Sequence, residues 1–322
     1  RSTFDFPPCE TEVKSIDHLI TQNKQITFNE NFKGPQLTTP LQIFSVANKF
    51  GSSAQRKRRC NRSRSGREDI DIITMESEAE KGSGQLQENG RNNEAEKIKI
   101  LAMRRVVESR DPSAKEVDDP TLRRFLRARD QDVEKATAMF LKYLNWRKAF
   151  VPRGAVSPAE VKNEIAQNKM FLQGFDKKGQ PIAVLLGSRH VKIQGGLDEF
   201  KRFAVYTLDK ICERLPPGQE KFVVIADVEG WGYANCDVRG YLGALSILQD
   251  YYPERLAKLF IVHVPHIFMT VWKVVYPFID NNTRKKIAFV DNKKLKSTLL
   301  EDIEENQIPE IYGGELPLIP IQ

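Results

Sequence analysis

The chain has 322 residues, with 50 Lys and Arg against 43 Asp and Glu, 40% hydrophobic and 29% charged residues, and four cysteines. No stretch approaches the roughly 18 apolar residues of a membrane-spanning helix. Cys9, Cys60, Cys212 and Cys236 form neither a CxxC pair nor a dense framework, which argues against integral-membrane, structural-zinc and disulfide-scaffold classes. The net charge of +7 divides into +4 over residues 1–74 and +3 over residues 75–322, so bulk basicity gives no argument for a nucleic-acid binder.

Residues 1–92 read as a disordered leader. The first methionine is Met75, followed by the polar MESEAEKGSG, and residues 1–74 are expected to precede the native start at Met75. The run Arg56 to Arg67 resembles a nuclear-localisation or nucleic-acid patch; a run of chance composition is the stronger reading.

From Asn93 helical periodicity begins. Ile98, Leu101 and Val106 open a helical stripe, and Asp119-Pro120 reads as a second helix start, with Leu122, Phe125 and Leu126 on one face and an end near Arg129. Asp132 is a good N-cap for a third helix that buries Val133, Ala136, Phe140 and Leu144. These elements form a small helical subdomain over residues 93–154, closed by the breakers of Val151-Pro-Arg-Gly154.

A mixed segment follows over residues 155–316, with 317–322 as a tail. Met170 to Phe175 and Pro181 to Leu186 flank DKKGQ, a hairpin signal. A helix from Leu197 carries Phe200, Ala204, Leu208, Ile211 and Leu215 as its apolar stripe. KFVVIA, ending before Asp227, reads as a buried strand; Tyr241, Leu245 and Leu248 mark another helix; Leu259 to Val264 and Ala288 to Val290 are further strands. Strands alternating with helices imply an α/β layer with a mixed, largely parallel sheet.

Catalytic motifs are missing: there is no GxSxG, HExxH, P-loop or GxGxxG. His263 and His266 could be two metal ligands, but no neighbour in sequence completes a shell, and ordinary histidines at a strand end are the better reading. Asp227 and Glu229 read as loop caps rather than an acid/base pair. No enzyme activity, cofactor or metal is expected. The informative stretch is HIFMTVWKVVYPFI, His266 to Ile279, whose Phe268, Val271, Trp272, Val275, Phe278 and Ile279 cover most of a helix circumference. Such a helix is buried nearly all round or meets an apolar ligand. The polar run DNNTRKK follows it at once.

Three spaced motifs resemble the CRAL-TRIO lipid-binding family: DDPTLRRFLRARDQDVEKA over residues 118–136, YYPERL at Tyr251 to Leu256 with LFIVHVP and Pro277-Phe-Ile-Asp280, and IPEIYGG at Ile308 to Gly314. The resemblance implies a sheet flooring a hydrophobic cavity, a mobile gate helix at His266–Ile279, and one enclosed phospholipid, phosphatidylinositol foremost, exchanged with membranes. Carried over residue by residue, the headgroup contacts are Arg129, Glu254, Arg255, Thr283 and Lys286. The acyl-chain wall and gate are Leu172, Ala183, Phe222, Val224, Phe268, Val271, Trp272, Val275 and Phe278. Asp130 departs from the family's basic residue, and the apolar Leu172, Ala183, Phe222 and Val224 replace hydroxyls that would serve phosphatidylcholine. The expected partners are a phospholipid and, transiently, membrane surfaces, with no nucleic acid, and the expected location is cytoplasmic and peripheral on membranes. Two alternatives stay open: a carrier of another hydrophobic ligand (sterol or tocopherol-like), and a scaffold presenting lipid to lipid kinases without bulk transfer.

Overall fold

The computed structural model describes residues 93–321; the leader, with Met75 and the basic run, lies outside the described residues. Three helices come first. Helix α1 covers residues 93–110 and buries Ile100, Met103 and Val107, spaced three and four apart. The expected helix is present but the expected face is not: Ile98 and Leu101 are 61% and 54% exposed. Two apolar stripes run along this helix, and the one carrying Met103 fits the neighbouring helices. Helix α2 (Asp119–Arg127) starts where Asp118 accepts from the Thr121 amide and Pro120 occupies the first turn, where its missing N–H costs nothing. It ends two residues before the expected Arg129. Helix α3 (Val133–Phe150) is capped by Asp132, which accepts from the Lys135 amide. Phe125 and Phe140 meet edge-on at 5.0 Å in their shared core. Glu96 accepts a bidentate pair from Arg127 at 2.8 and 2.9 Å, tying α1 to α2.

After the short α4 (Lys162–Ala166), strands β1 (Met170–Phe175) and β2 (Pro181–Leu186) pair antiparallel, with Leu172 opposite Ala183. Gly179 supplies the turn at φ +74°, a conformation side chains resist. The chain then alternates: α5 (Leu197–Glu213), β3 (Phe222–Asp227), α6 (Val238–Tyr251), β4 (Leu256–Val262), α7 (His266–Val275), α8 (Asn281–Arg284), β5 (Ile287–Phe289) and α9 (Leu295–Asp302). The sheet order is β1-β2-β3-β4-β5, antiparallel at β1–β2 and parallel elsewhere. Each parallel step needs a crossover, which α5, α6 and α7 provide.

One face of the sheet, with Ile182, Val184, Val223, Ile225, Phe260 and Val262, packs against the C-terminal segment through Leu295, Leu299, Ile303, Ile308 and Tyr312. The other face looks toward α5, α6 and α7. Among the described residues no helix is long and apolar enough to cross a membrane.

Candidate functional site

Between that second face and the three crossover helices lies a cavity of about 390 Å³. Phe222, Val224 and Ala226 floor it from β3, alternate residues pointing the same way. From α5, Phe200, Ala204, Leu208 and Ile211 form one wall, and Leu245 and Leu248 of α6 another. Four residues of the expected apolar stripe therefore form a cavity wall, and periodicity cannot tell a stripe facing protein from one facing a void.

Helix α7 closes the top. Phe268, Val271, Trp272 and Val275 line the cavity. Phe268 meets Trp231 edge-on at 5.5 Å and Trp272 meets Phe289 at 5.2 Å. Only Val271 of this helix is fully buried, its other apolar residues are mostly half-buried, and its N-terminus has no side-chain cap. The helix ends at Val275, earlier than the expected Ile279, because Pro277 diverts Tyr276–Phe278 into a 3₁₀ turn.

Three wall residues fall elsewhere than expected. Leu172 and Ala183 share the cavity-facing side of the sheet but lie beyond the cavity's edge, packed in the core with Val156, Tyr206 and Ile321. Phe278 sits past the end of α7 and is 37% exposed.

Charge collects where strands β3, β4 and β5 begin. Lys286 precedes β5, and its ammonium lies 3.4 Å from Glu254, just before β4; Lys221, just before β3, lies 3.6 Å from the same carboxylate oxygen. Their neighbours Phe222, Leu256 and Leu259 line the cavity, Leu259 donating to the Lys286 carbonyl. The charges therefore stand at one end of the apolar space. Glu254 holds φ +57°, an uncommon conformation for a non-glycine residue. Thr283 is one turn away, its carbonyl accepting from the Lys286 amide.

The fold does not gather the whole expected set. Arg255 turns from Glu254 and donates to the Glu220 carbonyl at 3.0 Å, beside Arg124. Burial and then repulsion by Arg255 hold the Arg124 guanidinium below its usual value. Arg129 donates to the adjacent Ala128 carbonyl. Lys221 was missed in the sequence, where 33 positions separate it from Glu254; only the pairing of Phe222 with Leu256 brings them level.

At the other end of β3 a second polar group forms. Asp227 accepts from the Glu229 amide at 2.9 Å, pairs with His263 Nδ1 at 3.0 Å and accepts from the Tyr312 hydroxyl at 3.0 Å. Burial and the Asp227 charge push the Tyr312 hydroxyl well above its ordinary value, so it remains a donor. The fold does assemble a cluster of Asp227, Glu229 and His263 that adjacency in sequence hid. The Asp227 oxygens are already engaged, which makes it an anchor for the turn into α7.

A family model described as the CRAL/TRIO domain matches residues 165–314, and one for the CRAL/TRIO N-terminal domain matches residues 99–142. The CRAL-TRIO domain-containing protein YKL091C of Saccharomyces cerevisiae is 32% identical over 221 residues, which cover 62% of this chain and 71% of that protein. The chain belongs to the CRAL-TRIO family. Another relative, the phosphatidylinositol transfer protein CSR1 of Eremothecium gossypii, is 29% identical over 208 residues, 61% of this chain but 47% of the relative's length. The crystal structure of Sfh5 shares the fold, with a TM-score of 0.51 and 20% identity over 68% of this chain and 94% of that one.

Proposed function

We propose that this protein encloses one phospholipid, with phosphatidylinositol the favoured ligand, and exchanges it with membranes when α7 lifts. The observation that carries this reading is an apolar cavity with half-buried lysines and a carboxylate at one end. A diacyl lipid has on the order of 30 methylenes, each costing about 0.8 kcal/mol in water, so roughly 25 kcal/mol opposes its leaving a bilayer uncovered. A carrier must wrap the tails before the headgroup leaves. Lys286 and Lys221 can meet a phosphodiester, and Glu254 can accept from inositol hydroxyls.

The Eremothecium gossypii relative, a phosphatidylinositol transfer protein, supports phosphatidylinositol as the ligand class. The reading places the protein on membrane surfaces transiently, from the cytoplasm. It divides the chain into helical residues 93–154 and lipid-binding residues 155–316, and assigns the protein no catalysis.

Loading from vesicles containing radiolabelled phosphatidylinositol tests this. Lys286→Ala and Glu254→Ala should each lower loading at least tenfold with unfolding midpoints kept. Arg255→Ala, whose guanidinium faces away, should load better than either. Wild-type loading by Lys286→Ala would remove the headgroup assignment.

A further inference from the structure

Two polar groups stand outside the carrier mechanism. At the far end of the cavity the Lys169 ammonium is fully employed, donating to Glu164, to the Gln167 side-chain oxygen at 2.8 Å and to His190 Nδ1 at 2.8 Å. The other group, Asp227, Glu229 and His263, is open to solvent on one side. Strand β3 ends at Asp227 and β4 at Val262, and the parallel pairing of those two residues brings His263 beside both carboxylates. Side-chain exposure rises from 7% at Asp227 through 21% at His263 to 78% at Glu229. A cation arriving from solvent therefore meets Glu229 and the imidazole before it meets the buried carboxylate.

One ligand atom from each of the three residues lies within 4.8 Å of the others. His263 Nδ1 is 3.0 Å from Asp227 Oδ1 and 4.0 Å from Glu229 Oε2. Two donors about 2.1 Å from one ion stand about 3.0 Å apart at a right angle and about 3.4 Å apart at a tetrahedral one. The first distance already fits, and the exposed Glu229 closes the second by a change of rotamer. Asp227 is held in place for this by two donors, the Glu229 amide on Oδ1 and the Tyr312 hydroxyl on Oδ2. A carboxylate has about four acceptor directions, so both bonds survive when an ion replaces the imidazole contact. Carboxylates that ligate metals are themselves hydrogen-bonded in this way. Two carboxylates so close also repel. One protonated imidazole offsets one of the two charges, and a divalent ion offsets both.

We propose that Asp227, Glu229 and His263 bind a divalent transition ion of the zinc class, which ties the end of β3 to the turn that opens α7. One imidazole nitrogen with two carboxylates suits Zn²⁺ and its first-row neighbours, whereas Ca²⁺ and Mg²⁺ favour shells of oxygen alone. The ion sits on Nδ1, the imidazole proton moves to Nε2, and water completes the shell. His266, which HVPH sets beside His263 in sequence, is outside the cluster and exposed. The site needs neither the cavity nor the headgroup assignment at the lysine end.

Isothermal titration of the metal-free full chain with ZnCl₂, CaCl₂ and MgCl₂ tests it. The expected result is a Zn²⁺ site about a hundredfold or more tighter than any site for Ca²⁺ or Mg²⁺. Glu229→Gln and His263→Asn should each weaken it about tenfold or more. Asn tolerates the positive φ of residue 263 and Glu229 is exposed, so both variants should keep their unfolding midpoints. His266→Ala should bind like the wild type. Amide hydrogen exchange over residues 263–268 should slow with Zn²⁺ in the wild type and not in Glu229→Gln. Absent Zn²⁺ binding, or binding that both ligand variants leave unchanged, would mean a direct His263–Asp227 pair only and overturn the proposal. Binding without slowed exchange would overturn the tie to α7.

Discussion

Lys169 shows how much one residue can carry in this molecule. Desolvation holds its ammonium below the ordinary lysine value of 10.5, against the pull of Glu164. In the window between that lowered value and 10.5 the native state binds fewer protons than the unfolded chain. Its contribution to stability therefore rises with pH there and is at its least favourable below the window. Glu164→Gln leaves the cation buried without its counter-charge and should cost about 3–5 kcal/mol. Urea unfolding at neutral pH checks this, and a loss under 1 kcal/mol would show that Gln167 and His190 alone satisfy the ammonium. None of this could be read in the chain, where Lys169 looks like one more surface lysine. By contrast Asp118 and Asp132 were legible as helix caps, because a cap is decided by residues three positions away. Glu254 and Lys286 came forward through motif resemblance, whereas Lys221 depended on strand pairing that no local pattern encodes.

At the scale of elements, the hairpin bounds agree with the sequence reading because Gly179 and the apolar runs on either side of it both point to the same turn. α1 was found but its face was misread, since Ile98 and Leu101 are as apolar as the buried Ile100 and Met103. α7 is the element on which the proposed lipid exchange depends. Its inner residues line the cavity, while Met269, at 36% exposure, and the following Tyr276, at 43%, face outward with the exposed Lys273. Lysines beside an anionic bilayer contribute about 1 kcal/mol each. The turn into α7 is pinned by His263, at φ +53°, through Asp227 to Tyr312. If α7 is the gate, Trp272→Asp should slow phosphatidylinositol transfer between vesicles at least tenfold, the unfolding midpoint falling by a few degrees at most. Transfer at the wild-type rate would move the gate to another element.

Across the whole molecule, the alternation of strands and helices carried the α/β class, whereas the cavity was expected from the family resemblance alone and not from periodicity. The stripe of α5 would read the same against a packed neighbour or an empty space, and only the spacing of β3 from α5, α6 and α7 decides. The space these elements leave has unlike ends, two lysines sharing a carboxylate at one and the buried Lys169 with His190 at the other. Between them the wall is almost wholly hydrocarbon. Such a molecule should not stay empty when made in a cell. The most direct measurement is mass spectrometry of the protein purified under native conditions, followed by lipid extraction. The account predicts one lipid per chain, enriched in phosphatidylinositol over its share of the host membrane and depleted in Lys286→Ala. Protein that emerges without lipid, and stays empty after incubation with vesicles, would contradict it.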